Sequence, residues 1–302
     1  MPVYNAEHYI ERAVESVVHL DEAGELILVD DGSVDNSLAV CQILEKKYNK
    51  LKLFTHADKK NHGAAASRNI GIKKSTFVFI AFLDADDYYL PNRFESDKEI
   101  FKAHPNVDGV YGCTLARFKS ETAREKFLKG NIAERTTFSK EIPPGQLFSA
   151  LMFGGYGCFH TSGITLKKTI FEKSGIFNEK IRYVEDTELW YKLSLTGKIV
   201  AGNIQEPIAI RWVHEDNSIH EFEKIQPYRK LMYKEVFQWA MKKPFPFAVK
   251  NAFFMALQSN TYQNKKLPLH ILLGEAIEMP SVIFSMFFIK KIHLILIKSS
   301  KR

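Results

Sequence analysis

Two apolar runs, each ending on clustered acids, constrain this chain most: "ELILVDDGS" (25–33) and "TFVFIAFLDADD" (76–87). Continuous apolar stretches of this length, bounded by turn residues, predict buried strands rather than half-exposed ones. Between them lie "DNSLAVCQILEKKY" (35–48), with Leu38, Cys41 and Leu44 on one helical face, the strand "LKLFTH" (51–56), and "GAAASRNIGIKKS" (63–75), a helix of small residues. Strand and helix alternating in this way predict an α/β fold, a mostly parallel sheet flanked by helices with ligands at the strands' carboxyl ends. "VDDGS" and "DADD" both belong at that edge.

Further along, "PNRFESDKEIFKAH" (91–104) predicts a helix with Pro91 in its first turn, where the missing N–H costs nothing. "VDGVYGC" (107–113), "SGITLKK" (162–168) and "PIAIRWVH" (207–214) read as strands, and 186–197 as a helix stopped by Gly197. Residues 118–146 are polar without a clear period and predict a mobile loop region. From about 219 the pattern is helical only. The division expected is a domain over 1–218 and a helical, basic C-terminal region over 219–302. The start is unusual, because "MPVYNAEHYIERAVESV" passes from a turn directly into a helix. A strand is expected before that turn, and the reading frame upstream of Met1 is where about six to ten Val- and Ile-rich residues should be sought.

Composition excludes some classes of protein. The chain of 302 residues is 45% hydrophobic and 25% charged, as ordinary globular proteins are. Cys41, Cys113 and Cys158 form no CxxC pair, which argues against a zinc cluster or disulfide framework and for a reducing compartment. Glu7, Glu11, Arg12 and Glu15 interrupt the first twenty residues, so no signal peptide is expected. The net charge of +7 is concentrated from Lys242 onward, where ten Lys and Arg face only Glu275 and Glu278. The remainder is close to neutral, unlike a nucleic-acid binder, and no nucleic-acid partner is expected.

The acidic cluster carries the chemistry. Asp84, Asp86 and Asp87 occupy four positions, and two like charges about 4 Å apart repel by about 4 kcal/mol at an effective dielectric of about 20. A solvated turn is the plain explanation. A divalent cation is the sharper one, since Mg²⁺ commonly takes one or two carboxylates plus substrate phosphates. In "PVYN" (2–5), Tyr4 is suited to stacking on a base, and an ionised Asp30 or Asp31 to accepting from a uracil N–H. Helix capping explains those two acids equally well. Arg68 in "NHGAAASRNIG" offers a fork to an anion, although close helix packing accounts for the small residues around it. The segment has neither GxGxxG nor GK[ST], which weakens dinucleotide and Walker-type readings. Glu185 and Asp186 open a helix as caps or as a general base. His214 ends a strand, structurally or as a ligand.

Taken in order, "PVYN", "VDDGS", "HGAAASRNIG", "DADD…LPNRF", "EDTELWYKL" and "RWVH…S" resemble the motifs of family 2 glycosyltransferases over roughly residues 2–220. The resemblance implies a GT-A-like, Rossmann-type fold and inverting transfer from a nucleotide-sugar, a UDP-sugar by expectation, assisted by Mn²⁺ or Mg²⁺. It places Pro2, Tyr4, Asp31 (or Asp30) and Arg68 around the nucleoside. Asp84 falls on ribose or metal, Asp86 on the metal, and His214 on the metal or diphosphate. Asp186, beside Glu185, matches the base. There is no QxxRW motif, which argues against a processive synthase. A sugar-nucleotidyltransferase would need a Gly-rich, basic phosphate loop near the N-terminus, which "PVYNAEHY" lacks. The non-enzyme alternative is an inactive carbohydrate- or membrane-binding scaffold, and intact Asp84, Asp86 and Asp186 count against it.

The last stretch, "SVIFSMFFIKKIHLILIKSSKR" (281–302), is apolar with a basic stripe. On a helix, Lys290, Lys291, Lys298, Lys301 and Arg302 fall within an arc of about 120°. Lys290 and Lys291 interrupt the apolar run, which disfavours a spanning helix and favours one lying in the interface. The expectation is a cytoplasmic protein held peripherally at the inner face of the membrane, acting on a glycan or lipid-linked acceptor in surface polysaccharide or lipopolysaccharide assembly.

Overall fold

The computed structural model describes residues 1–130, 133–154, 157–215, 217 and 222–262. In chain order the first half runs β1 (Pro2–Val3), α1 (Ile10–Val18), β2 (Leu26–Asp30), α2 (Ser37–Lys47), β3 (Leu51–Thr55), α3 (Ala64–Lys74), β4 (Phe79–Ala81), β5 (Tyr88–Tyr89) and α4 (Glu95–Ala103). Then follow β6 (Gly109–Tyr111), β7 (Cys113–Phe118), α5 (Glu121–Lys129), β8 (Arg135–Thr136), α6 (Pro144–Phe153), β9 (Ile164–Lys167), α7 (Phe171–Ser174), α8 (Glu185–Thr196), β10 (Ile199–Ala201) and β11 (Pro207–Val213). Two helices complete the described chain, α9 (Phe222–Met241) and α10 (Phe247–Tyr262).

The strands form three sheets. β1, β2 and β3 are all parallel, in that order. The second sheet, β10-β6-β9-β4, is mixed because β9 runs antiparallel to both β6 and β4. The third, β5-β11-β7-β8, pairs β11 parallel to β7 and antiparallel to β5. The α/β class expected from the alternation is therefore present, with more antiparallel pairing than the sequence suggests. An antiparallel neighbour such as β9 has the same apolar composition as a parallel one, so its direction is not encoded locally.

Helices α1 and α2 cover the first sheet. Ile10, Ala13, Val14 and Val17 recur at helical spacing and bury against Leu28, Cys41 and Leu44. A second core gathers Leu189, Trp190 and Leu193 of α8 with Ile164, Leu166, Tyr111 and Phe159. Gly197 ends α8 with an extended backbone, and an added Cβ would meet the Ile170 side chain at 2.3 Å, which would have to shift.

Four expectations need correction. Pro2–Val3 is itself a strand, paired to Val29 and Asp30, where the sequence suggested only a turn. The run 76–83 is strand only over Phe79–Ala81, and Phe77, Val78 and Phe79 are 50%, 63% and 44% exposed. Pro91 precedes its helix by four residues, because the intervening Arg93 is drawn fully into the core, bonding Asp97 at 2.9 Å and the Ile164 carbonyl at 3.1 Å. Finally, 118–146 holds α5, β8 and the start of α6. Ser120 caps α5 by accepting from the Ala123 N–H at 3.0 Å, and Ala123 and Phe127, four apart, form its buried face.

The chain divides into two compact units, Met1–Glu223 and Lys224–Arg302. In the second, α9 and α10 meet through Phe237 and Phe254, ring centroids 5.8 Å apart. No helix of the described residues is long and apolar enough to cross a membrane. The basic segment 281–302 lies outside the described residues.

Candidate active site

The turn after β1 and the turn after β2 interlock. The Asp31 N–H donates to the Val3 carbonyl at 2.7 Å, Asn5 N–H to Ser33 Oγ at 3.2 Å, and Val34 N–H to Asn5 Oδ1 at 3.0 Å. Asn5 takes φ 50°, a left-handed conformation that Asn tolerates. Gly32 has φ 72°, and an added Cβ would lie 2.7 Å from the Lys60 backbone, so only glycine fits. These turns bring Pro2, Tyr4, Asp30 and Asp31 together, with Tyr4 48% exposed and both acids buried.

The two acids differ. Asp31 accepts from the N–H groups of His62 at 2.7 Å and Gly63 at 2.8 Å, and so fixes the loop before α3. Asp30 Oδ2 accepts from Gly32 at 3.1 Å and Ser33 at 3.3 Å, while its buried Oδ1 has no partner. An orphaned buried acceptor costs about 1–3 kcal/mol.

Arg68 is placed differently from the expected anion-facing position. It is buried on α3 and forks between two carboxylates of the chain, Asp84 at 2.6 Å and Glu185 at 2.6 Å, with Phe177 beneath it at 5.3 Å. Asp84 and Glu185 lie 101 positions apart in sequence, so this link is tertiary only. Burial opposes ionisation of Asp84, but Arg68, His160 and Arg211 together hold the carboxyl below the ordinary range. Burial also dominates at Glu185. Despite Arg68, its pKa is pushed up to about 7, with Asp186 adding repulsion.

The acidic cluster splits into two arrangements. Asp86 Oδ2 meets Asn217 Nδ2 at 2.8 Å and His214 Nε2 at 3.3 Å. Helix α1 braces this pair. Tyr9 stacks on the His214 ring at 4.5 Å, and Arg12 lies against Tyr88 and Trp212 while donating to the Asp86 carbonyl at 3.1 Å. Asp84 instead groups with Asp87 and His160, one ligand atom of each lying within 4.8 Å of the others. Asp87 is buried and accepts from Ser162 Oγ at 2.7 Å and Trp212 N–H at 3.0 Å. Burial, then Asp86 and Asp84, push its pKa well above the usual carboxylate range. Burial and Arg211 push His160 down to about 3, which leaves the imidazole neutral; its Nδ1 accepts from the Ser162 N–H at 3.3 Å and lies 3.8 Å from Asp87 Oδ2. Oxygen-rich donors with one imidazole suit a hard divalent cation. The residues present therefore fit Mg²⁺ or Mn²⁺.

Asp186 lies in the first turn of α8 and commits only Oδ1, accepting from Thr187 N–H at 2.6 Å and Thr187 Oγ1 at 3.2 Å. Val184, immediately before α8, sits at φ 60°, ψ 23°. For a β-branched residue that conformation costs about 1–3 kcal/mol and clusters at functional sites. Sequence reasoning missed His160, Asn217, Arg211 and the bracing residues Tyr9 and Arg12, and did not take Asp87 as a ligand. Asn217 follows His214 by three residues and Asp87 was in view. His160 had no neighbouring signal.

Solved structures of GT-A type share this βα core with acids at its strand ends. The chain superposes on Staphylococcus aureus TarS (residues 1–349, in complex with UDP-GlcNAc) with TM-score 0.64 and 17% identity, covering 87% of this chain and 72% of that one. It superposes on the mannosyltransferase PcManGT of Pyrobaculum calidifontis, in complex with GDP-Man and Mn²⁺, with TM-score 0.53 and 15% identity, covering 96% and 83%. The sequence profile of Glycosyl transferase family 2 matches residues 1–175, and the chain belongs to that family. An uncharacterized glycosyltransferase of Rickettsia typhi is 27% identical over 193 residues, 64% of this chain and 56% of its own length. The minor teichoic acid biosynthesis protein GgaB of Bacillus subtilis is 28% identical over 221 residues, 72% of this chain and 23% of its own. The chain thus spans about half or less of these curated relatives.

Proposed function

We propose that the chain transfers a sugar from a nucleotide-sugar to an acceptor hydroxyl with inversion, by direct displacement. One observation carries this reading: Asp84, Asp86 and Asp87, the Arg68–Glu185 pair and His214 converge in one unit where the β4 and β11 ends meet the start of α8. Tyr4 and Asp30, with Asp31 beside it, line the nucleoside. Asp86 and His214, and Asp84 with Asp87 and His160, are the residues to hold Mn²⁺ or Mg²⁺. When bound, the cation supplies Lewis-acid stabilisation of charge on the departing diphosphate. Asp186 takes the acceptor proton through the carboxylate oxygen that Thr187 leaves unused. Arg68 keeps Asp84 ionised and oriented.

The UDP-GlcNAc complex of TarS supports a UDP-sugar donor, and the likeness to GgaB supports a role in assembling a cell-surface polymer on a glycan or lipid-linked acceptor. The basic, apolar sequence of 281–302 supports peripheral attachment to the inner membrane face. The test is nucleotide release from a panel of UDP- and GDP-sugars with and without Mn²⁺. Release from one UDP-sugar that needs the cation is expected. No release from any donor would favour the inactive scaffold.

A further inference from the structure

Arg211, on β11, is a cation that the proposed reaction leaves unused. It pairs with Ala116 of β7 and shares a sheet face with Val213, the face that α5 covers through Ala123 and Phe127. Its guanidinium lies over the Phe127 ring at 5.6 Å. Among the described residues its side chain has no hydrogen-bond or ion-pair partner, although it is half-buried. A charge drawn this far out of water is ordinarily paired. The next residue, Trp212, faces Arg12 on the other side of the sheet, and its N–H is bonded to Asp87.

Arg211 stands between the metal-binding acids and the start of α8. Its charge is felt by Asp84, Asp87 and His160. It is also felt by Cys158, which feels Asp186 with the opposite sign. Cys158 is exposed, whereas Cys41 and Cys113 are buried. The segment that carries it is held at both ends. Gly157 bridges to Phe138 at φ 97°, where an added Cβ would collide with the Thr137 carbonyl. Phe159 enters the core, and His160 Nδ1 comes within 3.8 Å of Asp87. A molecule that offers a hydroxyl to Asp186 and extends past Cys158 therefore meets the guanidinium.

We propose that Arg211 binds an oxyanion, a phosphate or a carboxylate, that the acceptor carries beside its reacting hydroxyl. This rests on the transferase reading, in which Asp186 defines where that hydroxyl lies. A guanidinium fork matches two oxygens of such a group. The donor has other partners: its diphosphate belongs to the cation that the acids would hold, and its nucleoside to Tyr4 and Asp30 on the first sheet. Packing on Phe127 accounts for the stem of Arg211 but gives its charged end nothing. A neutral acceptor would leave that charge without a partner.

Cys158 is a reporter that needs no turnover. Its alkylation is followed by mass spectrometry with iodoacetate, which carries a carboxylate, and with iodoacetamide, which does not. The ratio of the two rates cancels any change in the thiol itself. Arg211→Gln should lower that ratio about fivefold, because the local field that concentrates an anion is gone. Arg211→Lys should keep most of it. On the native chain, glycerol 3-phosphate or glycerate should slow alkylation by iodoacetamide about threefold, as a ligand at about twice its Kd does. Glycerol should not, and the more protective anion identifies the acceptor's charged group. A ratio unmoved in Arg211→Gln, or no protection by either anion, overturns the proposal. So does protection by UDP with Mn²⁺ that disappears in Arg211→Gln, which would put the guanidinium on the donor. Since no sugar is transferred in this test, a lack of turnover with any donor is a separate failure, that of the transferase reading.

Discussion

The ends of β2 and β4 look alike in sequence, each an apolar run closing on adjacent acids, yet the chain uses them differently. Asp31 gives its carboxylate mainly to two backbone N–H groups three decades of sequence away, His62 and Gly63, with His56 Nε2 3.2 Å from the same Oδ1, and so sets the path of a loop. Asp84, Asp86 and Asp87 face side chains from distant elements and one another: Arg68, Asn217, His214 and Ser162. A carboxylate saturated by amides orders backbone. Carboxylates crowded together store repulsion that a cation would relieve.

The most severe way to break that contrast is Asp86→Ala. Removing a carboxylate from the crowded end should reduce transfer by about 10³-fold and abolish Mn²⁺-dependent donor binding, since metal stabilisation of a leaving group is worth several kcal/mol. The melting temperature should hold or rise, because Asp87 loses a repelling neighbour. Donor binding by calorimetry that is insensitive to Mn²⁺ in the native chain would remove the metal from the account.

Asp186→Asn belongs to neither strand end and should separate chemistry from binding. Turnover should fall about 10²-fold, as expected for loss of a general base. Donor affinity and melting temperature should stay near native. Unchanged turnover would take Asp186 out of the reaction.

A third probe uses pH. Glu185 has a folded-state pKa of about 7, above its ordinary value, so between about pH 4.5 and 7 the folded chain binds more protons than the unfolded one. Stability therefore falls as pH rises through that window. In Glu185→Gln this loss is absent, and the variant should gain on the native chain by on the order of 2 kcal/mol across it. Denaturant melts at pH 5 and 7 measure the difference, and parallel curves would contradict it.

The mildest expected effect lies at the other strand end. Asp31→Asn offers one acceptor oxygen to two N–H donors and should cost about 1–2 kcal/mol of stability. The cost should appear as a lower melting temperature, accompanied by weaker donor binding through the displaced Asp30–Ser33 turn. An unaltered melting temperature would mean that the two ends are not distinct in kind.

Much was legible before any coordinates. Continuous apolar runs specify buried strands because they have no face for water. Such features depend on neighbours within a few residues. Asp84, Asp86, Asp186 and His214 stood out for the same reason, as polar groups at the boundaries of apolar elements. What only the tertiary structure decided depends on residues far apart. Arg68 looked anion-facing and instead neutralises Asp84 and Glu185, because α3 packs its guanidinium between them. His160 joins the acids although nothing around "CFHTSG" marks it. The burial of 76–83 was read from composition alone, but burial is a property of neighbours. Only Phe79–Ala81 of that run finds a strand partner, β9, and Phe77, Val78 and Phe79 stay exposed.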